Sequence, residues 1–307
     1  MNVPSLPTLP KPLAALACAT VLFGLATPLL KILLDGMAPM VLIALLAVGS
    51  GLAVLFWRAV RGPGLKGSQH PAGKKDRYLF FGTVVAGGFI APVLQNVSLA
   101  VTPAATAALL LNFEIVATVL LAFLFFKEPT DKKTGLALIL IFAGSILLGW
   151  NGENLIGFSL GALGIIVSCV FWGVDNNCMA HITAYSPGTI TLCKVIFGGS
   201  IAAGIVFALG EPLPGPGLLA LALFTGFFSY GTGLILFIFA LKDMGAARAG
   251  AIYAAAPFIG CIASLVIFSD PLGHNFWLAV PLFAAGAAIV IREQWKKNAA
   301  VSPVDRS

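Results

Sequence analysis

Apolar residues in this chain run in long unbroken stretches broken by proline, glycine or charge. The stretches fall at about 13–34, 39–57, 78–100, 103–126, 134–150, 157–180, 188–209, 217–241, 246–268 and 275–292. Each is close to the roughly 20 residues a helix needs to cross a hydrocarbon core. They lack the alternation of barrel strands, and a helix satisfies its own peptide groups in lipid. The pattern predicts ten transmembrane helices in an all-α integral membrane protein. The first stretch is too long for a cleaved signal peptide and carries only Lys11 at its front, so it reads as the first span.

Composition agrees. Apolar residues make up 59% of the 307 and charged residues only 10%, where a soluble domain has about 25% charged. A soluble fold, a disordered chain and a disulfide scaffold are excluded. Cys18, Cys169, Cys178, Cys193 and Cys261 all lie in apolar runs and read as small hydrophobes. The net charge of +6 is explained by placement. With a cytoplasmic N-terminus, the cytoplasmic side carries Lys11, Arg58, Arg61, Lys66, Lys74, Lys75, Arg77, Lys127, Lys132, Lys133, Lys242, Arg248, Arg292, Lys296, Lys297 and Arg306, leaving only Lys31 and Lys194. The opposite side shows Asp35, Glu153, Glu211 and Asp270. This positive-inside distribution places both termini in the cytoplasm and needs no nucleic-acid partner. The Gly62 to Ser68 segment has the letters of a phosphate loop with the wrong spacing and no preceding strand, and Asn96-Val-Ser98 is a sequon placed in a span.

The chain also repeats itself. At an offset of 142 residues Glu128-Pro129 falls on Asp270-Pro271, and Gly144 on Gly286; at 149 Phe23-Gly24 falls on Trp172-Gly173; at 148 Pro39 falls on Pro187. Each half holds five spans, an odd number, so the second half starts on the opposite side of the membrane. The expected organisation is a cytoplasmic segment 1–12, a first five-helix repeat 13–150, an inverted second repeat 157–292 and a cytoplasmic tail 293–307. Inverted repeats are an architecture of secondary transporters that bind substrate near the midplane; a duplicated bundle without transport is the alternative.

These features together resemble the drug/metabolite transporter superfamily in its EamA-type ten-helix branch. The resemblance rests on the two aromatic-Gly pairs, the Ala-rich helices at Ala104–Ala108 and Ala246–Ala256, the acidic-Pro corners, and Gly144 with Gly286. It implies a central cavity lined mainly by spans 1, 3, 4, 6, 8 and 9, alternating access, and export of small metabolites such as amino acids. The aromatic-rich spans are similar to those of exporters of aromatic and neutral amino acids. Two departures stand out. The family's Arg seven residues after a Pro is Lys194 after Pro187 here, and Leu46 after Pro39. Its mid-helix Pro is Pro257 in the second half, whereas the first half reads Asn112-Phe113-Glu114.

Ionisable groups inside spans cost about 2.5–3.5 kcal/mol each on insertion scales, so each calls for a reason. Glu114 lies mid-span. It is read either as a proton-coupling or substrate-ammonium site, or as a structural carboxyl that is protonated or partnered by Asn112. Asp175 and Lys194 fall about 9–10 Å from the same ends of consecutive helices at 1.5 Å per residue, which suggests an ion pair, a cytoplasmic gate or a substrate-carboxylate contact. Asn176 and Asn177 favour a lining role for that end. Lys31 and Asp35 read as a snorkelling pair. Gly157 with Gly161, and Ala247, Ala251 and Ala255, read as packing stripes. Trp57, Trp150, Trp277, Trp295 and Tyr78 read as interfacial residues. Trp172, Tyr230 and Tyr253 lie within spans and are candidate substrate contacts or core. His70, His181 and His274 have no ligand spacing, so no metal or cofactor is expected, and neither is enzymatic activity.

The sequence thus points to a secondary transporter, an exporter favouring neutral or aromatic amino acids, driven by an ion or substrate gradient with a proton as candidate coupling ion. A bacterial inner membrane is the expected location. The rival readings are a nucleotide-sugar or phosphate-ester carrier, which would want several cavity cations, and a non-transporting scaffold.

Overall fold

The computed structural model describes residues 11–61, 71–127, 130–150, 159–244, 249, 252–269 and 272–300. The two acidic-Pro corners, segment 62–68, His70, Glu153, Gly157, Ala247, Arg248, Ala251 and Arg306 lie outside the described residues, as do the side chains of Trp295, Lys296 and Lys297. Helices are α1 Lys11–Leu34, α2 Pro39–Arg61, α3 Lys74–Ala100, α4 Ala104–Phe126, α5 Lys132–Gly149, α6 Leu160–His181, α7 Pro187–Leu209, α8 Pro216–Leu241, α9 Ala256–Ile267 and α10 His274–Ala300. Nine are long and apolar enough to cross a membrane, and the described part of α9 is a shorter apolar helix. There is no strand among the described residues. The protein is an all-helical, multi-pass integral membrane protein.

Local chemistry sets several helix ends. Asp131, Ser159 and Ser186 each accept a hydrogen bond from the amide three residues on, at 2.8, 3.4 and 3.1 Å, and so cap α5, α6 and α7. Pro187 opens α7, and Gly210 closes it with φ of 66°. The last helix runs past the expected limit at 292, because Arg292, Glu293, Gln294, Lys296 and Lys297 are good helix formers that carry it out of the apolar zone.

The packing is pseudo-symmetric: exchanging each helix with the one five later reproduces the main contacts between helices. α2 packs on α7 and α5 on α10; α1 lies against α8 and α9, as α6 lies against α3 and α4. α2 also meets α8, as α7 meets α3. With five spans per unit, corresponding helices run in opposite directions.

Glycines make these crossings close. On α2, Gly49 leaves room for the backbone of Leu223 and Gly226 on α8; on α7, Gly198 leaves room for the carbonyl of Gly88 on α3. The two crossings join helices related by the repeat, with the glycines one position apart in register, and a side chain at either would overlap backbone. Gly24 packs on Ile259 with only 2.8 Å for a Cβ, and Gly173 on Ala117 with 2.9 Å. Gly144 and Gly286 do the same between α5 and α10.

Irregular backbone is concentrated in the third and fourth helix of each unit. Residues Ala86–Ile90 of α3 and Gly226–Gly233 of α8 are π-helical. In α4 the α pattern breaks at Leu111 and Asn112, where the amides of Asn112, Glu114 and Ile115 bond three residues back at 3.0–3.1 Å. In the second unit the helix turns at Ala254 and Ala255, just before Pro257. The first unit therefore breaks without the proline, at the Asn112-Phe113-Glu114 departure.

A test follows from the crossing of α3 and α7. Gly198→Ala is expected to lower the stability of the protein in detergent by roughly 1–3 kcal/mol, the range for overpacking. Gly204→Ala, which faces open space, is the control and should match the parent or exceed it slightly. Equal thermal unfolding of the two variants would mean the crossing is loose.

Candidate functional site

Between the two units lies a cavity of about 120 Å³. On the scale where one water takes roughly 10–15 Å³, it has room for about ten waters or one small metabolite. Eight helices line it. α1 gives Phe23, Ala26 and Thr27; α3 gives Gly87, Gly88, Pro92 and Gln95; α4 gives Leu111 and Glu114; α6 gives Trp172, Asp175, Asn176 and Met179. α8 adds Tyr230, Leu234 and Phe237, α9 adds Ala256 and Pro257, and the segment just before α9 adds Tyr253. α2 and α7 also line it, through Ile43, Leu46, Ala47, Ser50, Lys194, Val195 and Gly199, beyond the six spans expected. α5 and α10 stand aside and pack on each other.

The polar groups form a network. Lys194 donates to Asp175 at 2.6 Å, with side chains only 3% and 1% exposed. Thr83 of α3 donates to the other carboxylate oxygen, and Gly87 leaves the space that carboxylate fills. The pair therefore sits in a fitted recess joining both units. Trp172 donates its indole N–H to Gln95 at 2.8 Å, and the Lys194 ammonium lies 5.7 Å from the Trp172 ring. Glu114 accepts from the Asn176 amide at 2.6 Å, and among the described residues it makes no ion pair.

Aromatic rings close the other wall. Tyr253 meets Phe23 edge-on at 5.6 Å and Phe237 at 4.9 Å. These three belong to an apolar cluster with Leu16, Met179 and Ile182.

Of the residues expected from sequence, Glu114, Trp172, Tyr230, Tyr253, Asp175 and Lys194 all reach this cavity. Asn112 does not line it. Its side chain is fully buried and bonds to the Leu109 carbonyl of its own helix at 2.9 Å, so Asn176 is the amide that meets Glu114. Asn177 also turns away, bonding the Thr118 carbonyl of α4 at 2.9 Å. Lys31 is not paired with Asp35: its ammonium donates to the carbonyls of Leu99 and Ala100, at 3.1 and 2.9 Å, at the C-terminal end of α3. Both carbonyls belong to the last turn of the helix, where the backbone dipole is negative and favours a cation. Trp57 donates to Thr232 at 3.2 Å and ties α2 to α8. His181 stacks on Phe126, and the described residues hold no cluster of three metal-ligating side chains. Sequence reading missed Gln95 and Thr83, neutral polar groups inside an apolar span; their polarity at cavity depth was the available signal.

A helical bundle of two repeated units around a largely apolar cavity that holds a few buried polar groups is the build of a membrane transporter. The chain belongs to the EamA-like transporter family, whose model matches residues 11–150 and 159–292, once per unit. A protein of Methanothermobacter thermautotrophicus described as an uncharacterized transporter is 28% identical over 267 residues, covering 82% of this chain and 78% of that one. Another so described, from Archaeoglobus fulgidus, is 26% identical over 175 residues, 57% and 51% of the two chains. A solved crystal structure at 17% identity superposes with a TM-score of 0.67 over 92% of this chain and 98% of the other, a likeness of fold.

The buried pair makes a second prediction. Lys194→Met strands the Asp175 carboxylate and is expected to cost roughly 3–5 kcal/mol. The double variant Asp175→Leu with Lys194→Met removes both charges and should regain most of that loss. Denaturation in detergent checks it; additive losses would show that the two side chains act independently.

Proposed function

We propose that the protein is a secondary transporter of small amphiphilic metabolites that carry an amino group, with neutral and aromatic amino acids the favoured class, working by alternating access between the two units. The observation that supports this most is the two-sided cavity. Charged and amide groups come from α3, α4, α6 and α7, while Phe23, Phe237, Tyr253 and Leu46 line the cavity from α1, α8, the segment before α9, and α2. A molecule with a charged head and an apolar body matches that surface.

Glu114 supplies the counter-charge for an ammonium or a site for a coupling proton. Trp172, Tyr230 and Tyr253 supply contacts to the body. The nucleotide-sugar or phosphate-ester alternative finds less support: among the described lining residues Lys194 is the only cation, and Asp175 already neutralises it. The reading assigns no enzymatic role and no cofactor. It takes the protein as an exporter in a bacterial inner membrane on the family resemblance, and both termini as cytoplasmic on the distribution of Lys and Arg.

Uptake of labelled amino acids into liposomes containing the purified protein tests this. Saturable uptake is expected, competed by aromatic and neutral amino acids, with Trp172→Ala raising the half-saturation concentration about tenfold or more. Glu114→Gln should abolish most of the uptake. Full activity of that variant with unchanged pH dependence would remove the coupling role. No flux for any labelled metabolite above empty liposomes, with the protein folded, would sink the carrier reading.

A further inference from the structure

The cavity's charges do not match a zwitterion. The ammonium of Lys194 is committed to Asp175 at 2.6 Å, both side chains are almost wholly buried, and Thr83 and the Gly87 recess hold the carboxylate in place. Asp175 already balances the Lys194 charge, so an incoming carboxylate that shares the ammonium brings a second negative charge to one cation, and one that takes it over leaves Asp175 buried without a partner. Glu114 is different. It is only half-buried, it lines the cavity, and its hydrogen-bond partner is the neutral Asn176 amide. Among the described residues, one carboxyl group thus stands ready for a cation, and no cation stands ready for a carboxylate.

The surrounding surface reinforces this asymmetry. Trp172, Tyr230 and Tyr253 line the same space, with Phe23 and Phe237 beside them. Aromatic faces attract cations, and a carboxylate beside them completes a site for a positive head on an apolar body. These rings offer little to a carboxylate, which the negative face of a ring repels.

We infer that this site reads the ammonium and the apolar body of its ligand and not a carboxylate, so it takes apolar monocationic amines in preference to the zwitterions of the same shape. The inference rests on the proposal that this cavity is the transport site, and it narrows the substrate class there. Amino acids are then the weaker-held members of a class whose tightest members lack the free carboxylate.

The experiment compares four probes that share one ring: phenethylamine, phenylalaninamide, phenylalanine and N-acetylphenylalanine. Each is titrated against the purified full chain by thermal shift, and against labelled phenylalanine uptake in proteoliposomes. Phenylalaninamide and phenethylamine should half-saturate at concentrations at least about tenfold lower than phenylalanine, and N-acetylphenylalanine should not bind. Glu114→Gln should erase the advantage of the amines, and Glu114→Asp, which keeps the charge, should retain part of it. Phenylalanine binding as tightly as its amide overturns the inference, as does binding of the N-acetyl compound or no shift with any probe. Phenylalanine uptake that no amine inhibits also overturns it while leaving the carrier reading standing. Absence of uptake for every metabolite removes the carrier reading, whichever order the binding titrations give.

Discussion

Backbone touching backbone at two related crossings sets the geometry on which the rest depends. Gly49 on α2 lets α8 approach at Gly226, and Gly198 on α7 lets α3 approach at Gly88. In lipid there is no hydrophobic force to push helices together, so close packing must come from van der Waals contact, and small residues make that possible. Both crossings fall on the π-helical stretches of α3 and α8. A π-turn displaces the backbone sideways, and here the displaced segment is the one that touches the neighbour. Gly87 of the same stretch seats Asp175, so the crossing that joins the units also builds the recess for the ion pair.

Irregular helix is tolerated at membrane depth only where protein buries it or water reaches it. The two π-stretches and the breaks in α4 and before Pro257 meet that condition, because all four border the cavity or its immediate wall. The Leu110 carbonyl meets the thiol of Cys169 at 3.8 Å, and the Leu111 carbonyl, which already accepts from the Glu114 amide, lies 3.9 Å from the same sulfur. Asn112 spends its amide on the Leu109 carbonyl. Its role is to repair the helix it interrupts, while Glu114, two residues on, is turned to the open side.

The helical frame was legible in the sequence because apolar stretch length and interrupting charge are strong, local signals. The repeat was legible through Gly, Pro and acid positions, and Gly24 with Gly173 and Gly144 with Gly286 do sit at helix contacts. Depth matching brought Asp175 and Lys194 together correctly, since consecutive antiparallel helices leave little freedom along their axes. Rotation about those axes was not legible. That is why Asn112 could not be told from Asn176 as the partner of Glu114, and why Lys31 was matched to Asp35 four residues away when its partners lie on α3. The break in α4 was hidden for another reason: no proline marks it, and tertiary packing overrides a sequence of good helix formers.

Symmetry of position and asymmetry of chemistry meet in the cavity wall. Residues related by the repeat line it in pairs: Phe23 with Trp172, Ala26 with Asp175, Thr27 with Asn176, Leu46 with Lys194, Leu111 with Tyr253, and Glu114 with Ala256. In every charged pair one partner is apolar. A duplication supplies two equivalent walls, and a transporter with equivalent walls would offer its ligand two identical half-sites. Here the ion pair and its amide neighbour fell to the second unit's α6 and α7, and the free carboxyl to the first unit's α4, which packs against that same α6. Charge is thereby gathered around α6, and the symmetric counterpart around α1 is left to Phe23, Ala26, Phe237 and Tyr253. The polar wall needs buried partners to persist in lipid, and gathering the groups on neighbouring helices provides them. The same gathering gives a bound molecule one head position and one body position, so the frame is two-fold while the site has a single direction.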